Sequence, residues 1–96
     1  MKYFVYLIVS INNKKITSYV GYTSNIYLRI KLHNTSKGAK FTKGRKWKLI
    51  YKKGYKTKSA AMKNEFLLKK NYKERQRIKS KYLNKIINEN INSAPL

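Results

Sequence analysis

The sequence predicts an α+β fold: a small three-stranded antiparallel sheet flanked by helices, in the order β-β-α-β-α-α. Three observations predict it. A continuous apolar run opens the chain, a second β-like segment returns after a polar turn, and three later segments place apolar residues at helical spacing behind capping residues. Ninety-six residues with 42% apolar content suffice for one modest core. We expect a single domain over residues 1–92, with a motif-bearing core at 3–70, a C-terminal helix at 72–92 and a frayed tail at 93–96.

Lys2 to Ser10 contains Tyr3-Phe4-Val5-Tyr6-Leu7-Ile8-Val9, an unbroken apolar and aromatic run suited to a central strand covered on both faces. Asn12-Asn13 supplies a hairpin turn, because Asn tolerates positive φ, and Ile16 to Gly21 pairs back as the second strand. Gly21 is expected to end it. Thr23, Ser24 or Asn25 can cap a helix from about Ile26 to His33, in which Ile26, Ile30 and His33 share a stripe and Arg29 neighbours His33. Asn34 to Arg45 has two glycines and three lysines among small polar residues and reads as a loop or a short irregular helix.

Trp47 to Tyr55 alternates loosely, with Leu49, Tyr51 and Tyr55 against Lys48, Lys52 and Lys53, as in a strand with one wet side. Thr57 or Ser59 can cap a second helix through about Asn71, with an apolar stripe of Ala61, Met62, Phe66 and Leu68. A third helix begins near Tyr72 or Lys73 and carries Ile78, Tyr82, Leu83, Ile86 and Ile87 at helical spacing.

Charge narrows the partners. Twenty-four Lys and Arg oppose three acids, a formal net charge of +21, and such a field favours a polyanion, nucleic acid above all. A chain rich in Lys, Asn, Ile and Tyr also has the composition of an AT-rich coding sequence, which raises Lys without any function. That bias does not account for the near absence of acids. No apolar run approaches the ~20 residues of a membrane helix, no basic helix carries the bulky apolar face that membrane insertion needs, and Tyr3–Val9 is too short and β-like for a signal peptide. With no cysteine there is no disulfide or Cys-zinc site. We expect a soluble intracellular protein that binds no membrane.

The acids are Glu65, Glu74 and Glu89. Glu74 lies among Lys73, Arg75 and Arg77, and Glu89 in a polar terminus, so both read as surface residues. Glu65 shares a helix face with Ala61 and Leu68 at i, i+4, i+7 spacing. It is either a helix-edge Glu paired with a lysine or the anchor of one divalent cation. Two-metal, multi-His and Ser-His-Asp schemes lack residues. Phosphoryl chemistry remains, with one metal, an Arg for phosphate charge and a Tyr or His to handle protons.

These parts, in this order, resemble the GIY-YIG nuclease domain. Phe4-Val5-Tyr6 matches the first motif strand and Tyr19-Val20-Gly21 the second, while Arg29, His33 and Glu65 match the family's helix Arg, following His and metal-binding Glu. The likeness runs from about Tyr3 to Lys70. Tyr-Val-Gly-Tyr-Thr at 19–23, Arg-x-x-x-His-Asn at 29–34 and Lys-Gly-Ala-Lys-Phe-Thr-Lys-Gly-Arg at 37–45 look most like small stand-alone bacterial members of the URI type and the nuclease domain of structure-specific endonucleases. Phe4 stands where the motif name has Gly, and the hairpin between Tyr6 and Tyr19 is somewhat long.

The resemblance implies a metal-dependent endonuclease acting on DNA. Glu65 would hold one Mg²⁺ or Mn²⁺, and Arg29 would grip a phosphate oxygen. Tyr19 in the first place, or Tyr6, would orient or deprotonate the attacking water, with its hydroxyl lowered from a free value near ~10 by local positive charge. His33 would assist proton transfer or hold the Tyr. Tyr6 also reads as strand packing, and His33 as a helix-end residue bonding carbonyls.

Lys37, Lys40, Lys43, Arg45 and Lys46, around Phe41 and Trp47, read as a DNA-backbone grip in which an aromatic stacks on an unpaired base. The two aromatics otherwise close the edge of the core. Such contacts are sequence-blind, so the expected preference is for branched, flap or single-stranded DNA, with selection in this domain or a protein partner. The competing classes are a non-catalytic nucleic-acid-binding module that retains the fold and a small basic ribosome-associated or structural protein.

Overall fold

A computed structural model describes residues 2–12 and 15–93. The chain runs β1 (Tyr3–Asn12), β2 (Lys15–Thr23), α1 (Ile26–Asn34), a single 3₁₀ turn (Lys40–Thr42), β3 (Lys48–Tyr55), α2 (Lys58–Lys70) and α3 (Tyr72–Ser93). The three strands form one antiparallel sheet in the order β2-β1-β3. This is the α+β arrangement expected, with its long apolar strand at the centre. Asn13 of the expected turn and residues 94–96 of the expected tail lie outside the described residues.

Every residue of β1 from Val5 to Ser10 is buried, because both faces of the sheet are covered. On one face Val5 and Leu7 pack with Val20, Ala61, Leu68 and Ile78, under α2 and α3. On the other face Tyr6 and Ile8 pack with Ile26 of α1 and with Trp47. Alternation along β1 thus separates two small cores, and it puts Tyr6 on the α1 side.

Local chemistry starts each helix where the sequence places a cap. The Asn25 side chain accepts from the Leu28 N–H, Thr57 from the Ala60 N–H and Asn71 from the Glu74 N–H, each satisfying a donor that a helix start leaves free. At the α2–α3 junction the Arg75 guanidinium donates to the carbonyls of Leu68 and Lys69 in the last turn of α2.

Three expectations are corrected. Gly21 does not end its strand: β2 continues to Thr23, and Gly21 sits within the ladder opposite Tyr6. Met62 and Phe66 are exposed, since α2 buries only the narrow stripe of Ala61 and Leu68, and Ile87 of α3 is exposed as well. The Lys70 ammonium lies 4.3 Å from the ring centre of the exposed Phe66.

Candidate active site

A cleft of about 500 Å³ opens beside β2, an edge strand of the sheet, and is lined by Tyr6, Tyr19, Gly21, Arg29 and Glu65, with Tyr3, Tyr22, Thr23, Ser24 and Lys58 around them. Its walls come from both layers. Tyr6 and Tyr19 belong to the α1-side core, whereas Glu65 arrives on α2 from the other side of the sheet. Because Ala61 is wholly buried against the strands, the residue one turn later is carried to the cleft.

Of the five residues expected to do chemistry, Tyr6, Tyr19, Arg29 and Glu65 share this cleft. His33 stands behind it. Its ring is completely buried and its Nε2 lies 2.7 Å from the Tyr6 hydroxyl oxygen. Its Nδ1 lies 2.9 Å from Thr42 Oγ1. His33 is therefore not a helix-end residue bonding carbonyls; both ring nitrogens are tied to side-chain hydroxyls.

The electrostatics follow from burial. Tyr6 is pushed up from 10.0 to about 12, chiefly because burial penalises the phenolate, and the nearby Arg29 lowers it too little to compensate. The expectation that positive charge lowers the tyrosine is thus overturned at Tyr6, where desolvation wins. Burial, and next the Arg29 charge, hold His33 below its ordinary value of 6.5. At neutral pH the pair is a neutral phenol hydrogen-bonded to a neutral imidazole.

Tyr19 has a different setting. Its ring lies 5.2 Å from that of His33 and is stacked on Phe41 at 6.2 Å. Arg29 Nε is buried with no hydrogen-bond partner. Glu65 forms an i, i+4 pair with Lys69 at 3.1 Å, the glutamate 17% and the lysine 50% exposed in their side chains. Glu65 is thus a helix-edge glutamate paired with a lysine, and the same residue lines the cleft. Among the described residues no cluster of three or more His, Asp, Glu or Cys side chains converges, so Glu65 is the one carboxylate donor the cleft offers.

Lys37, Lys40, Lys43, Arg45 and Lys46 are all exposed, on the segment that crosses from α1 to β3. None of them lines the cleft; Lys58 does. The segment is closely held: the Asn34 side chain donates to the Trp47 carbonyl and accepts its N–H, Gly44 N–H reaches Ser36 Oγ, and Arg45 reaches Thr17. Trp47 is buried and closes the core, whereas Phe41 is 54% exposed with the Arg45 guanidinium 5.9 Å from its ring centre. The sequence reading missed Lys58 and Thr42. Thr42 sits inside the Lys-Gly-Ala-Lys-Phe-Thr string, where a lone hydroxyl residue among lysines was the available signal; its complete burial appears only in the fold.

The chain is 38% identical over 79 residues to the UPF0213 protein SH2523 of Staphylococcus haemolyticus, covering 81% of this chain and 92% of that protein. It is 42% identical over 79 residues to the UPF0213 protein SERP0126 of Staphylococcus epidermidis, with the same coverage. The solution structure of the UPF0213 protein BH0048 from Bacillus halodurans superposes with a TM-score of 0.46 at 32% identity, covering 83% of this chain and 84% of that one. Residues 2–84 match the GIY-YIG catalytic domain, and the chain belongs to that nuclease family.

Proposed function

We propose that this protein hydrolyses DNA phosphodiester bonds with the help of one Mg²⁺ or Mn²⁺, selecting DNA by structure rather than by sequence. The reading is carried by one observation: a tyrosine hydroxyl hydrogen-bonded to a buried imidazole opens on the same cleft as an arginine and a lone carboxylate. One carboxylate suits a hard cation that keeps most of its water shell, and Glu65, released from Lys69, is the residue to hold it. A bound divalent ion supplies charge stabilisation for the phosphate and for the leaving oxygen.

The chain's own residues do the rest. Arg29, whose side chain lines the cleft, binds a non-bridging phosphate oxygen. Of the two tyrosines we assign proton transfer to Tyr6, because its hydroxyl has a base as partner. With its phenolate disfavoured, Tyr6 works as a relay: its oxygen takes a proton from the attacking water while its own proton passes to His33 Nε2. The water oxygen then bonds to phosphorus, the bond from phosphorus to the 3′ oxygen breaks, and solvent water protonates the departing alkoxide. Tyr19 walls the cleft, and exposed Phe41 with Arg45 and Lys40, Lys43 and Lys46 offers a stacking face beside backbone contacts.

The test is cleavage of branched, single-stranded and duplex DNA by the purified protein with Mg²⁺ or Mn²⁺ against chelator. Glu65→Gln is expected to lose metal-dependent nicking by at least about 100-fold while retaining DNA binding. Binding without any metal-dependent cleavage by the parent would identify a non-catalytic module instead, and RNA preference without a divalent-metal effect would identify a basic RNA-associated protein.

A further inference from the structure

The His33 ring bridges two hydroxyl groups, and distance alone does not say which way either hydrogen bond runs. A third contact decides it. Thr42 Oγ1 lies 2.8 Å from the Ala39 carbonyl oxygen, which has no proton to give. The single hydroxyl proton of Thr42 therefore goes to that carbonyl, and toward His33 Nδ1, 2.9 Å away, Oγ1 can only accept.

We propose that Thr42 is a positioning residue that locks His33 in the Nδ1–H tautomer and so turns the Nε2 lone pair toward the Tyr6 hydroxyl. The bonds then run one way, from Tyr6 O–H to Nε2 and from Nδ1–H through Thr42 O–H to the Ala39 carbonyl. The surroundings hold the lock in place. The Thr42 N–H also goes to the Ala39 carbonyl, closing the 3₁₀ turn, and the buried Trp47 indole N–H donates to the Thr42 carbonyl at 2.9 Å. Gly38 adjoins the ring with no room for a side chain: a Cβ there would be 2.4 Å from Nδ1.

The consequence for chemistry rests on the proposed role of Tyr6, although the tautomer does not. With Nε2 protonated instead, the imidazole would donate to the Tyr6 oxygen and could not receive its proton. One lone pair of that oxygen would then be taken up by Nε2–H. Thr42, which does not line the cleft, thus sets the direction of proton flow through the residue that does.

The protein has a single histidine, so the ring nitrogens of ¹⁵N-histidine-labelled protein give one unambiguous NMR signature. The parent is expected to show a protonated Nδ1 and a bare Nε2. Thr42→Ser keeps this pattern, and Thr42→Val, similar in shape but with no oxygen, moves the ring to Nε2–H or to a mixture. A parent spectrum with Nε2 protonated, or an unchanged Nδ1–H signal in a folded Thr42→Val, overturns the assignment. The parent spectrum stands by itself if the valine variant does not fold. In cleavage assays Thr42→Val should lower kcat by about 10- to 100-fold with KM little changed, and Thr42→Ser should restore it. A parent that cuts no DNA overturns the nuclease reading alone, because the spectrum is read without activity.

Discussion

Tyr6 and Gly21 face each other across the β1–β2 ladder, and a Cβ on Gly21 would lie 2.3 Å from the Tyr6 hydroxyl oxygen. The side chain missing at position 21 is the space that this hydroxyl occupies. Tyr6 is fully buried and tied to His33, so it cannot swing aside without losing that bond. Glycine here answers a close approach and not a turn.

Gly21→Ala should therefore destabilise the fold by about 1–3 kcal/mol in urea unfolding and remove most cleavage activity. Gly54→Ala is the control, because its Cβ would meet Phe4 at 3.5 Å, an ordinary contact. Its effect should stay within about 1 kcal/mol. Equal stability of the two variants would sink the argument.

Arg29 is expected to trade stability for function. Its Nε is buried with no partner, and an unpaired buried donor is a cost to the free protein. Arg29→Leu should unfold at higher denaturant, by about 0.5–2 kcal/mol, while cleavage falls by two to three orders of magnitude, roughly the loss seen when a charge-stabilising donor is removed. A variant that is both weaker in fold and fully active would contradict both halves.

Stability should decline at both ends of the pH range for identifiable reasons. His33 is held below 6.5, so on acidification the unfolded chain takes up a proton before the native one does. Stability present above that pH is lost as the pH falls through the native value. Tyr6 is raised to about 12, so as pH climbs from 10 toward 12 the unfolded chain loses its phenolic proton first and stability falls again. Urea titrations at several pH values should show the alkaline slope reduced in Tyr6→Phe and the acid slope near pH 6 reduced in His33→Gln.

The exposed segment between α1 and β3 should act on DNA through phosphate charge. Replacing Lys43 and Lys46 with Gln should reduce the slope of log K against log salt by roughly 1–2 and weaken binding about equally on unrelated sequences. Phe41→Ala should cost about 1–3 kcal/mol on single-stranded or flapped DNA and little on duplex. A uniform Phe41 effect on all substrates would count against base stacking.

Much of this could be read along the chain because it is written in local patterns. An unbroken run of β-branched and aromatic residues suits a strand covered on both sides, and Tyr3–Asn12 is the central strand of the sheet. Asn25 and Thr57 sit where helix starts need oxygen acceptors, and both cap. Periodicity was less informative for α2. It groups Met62 and Phe66 with Ala61 and Leu68, but how wide a stripe a helix buries depends on what it rests on, and the small sheet covers only two of the four.

The candidate site divides in the same way. The sequence alone determined the element order, the cationic surface and the residues able to do chemistry, since three acids and one histidine leave few choices. Tertiary structure decided their relations. It brought Glu65 to the cleft beside the edge strand, though α2 packs on the opposite face from Tyr6. It buried Tyr6 and His33 together, so that desolvation outweighs the positive field that composition suggests. It also gave Thr42 a partner nine residues away at His33, with the Ala39 carbonyl to orient the bond. Burial and hydrogen-bond direction depend on what surrounds an atom in three dimensions, and spacing along the chain carries neither.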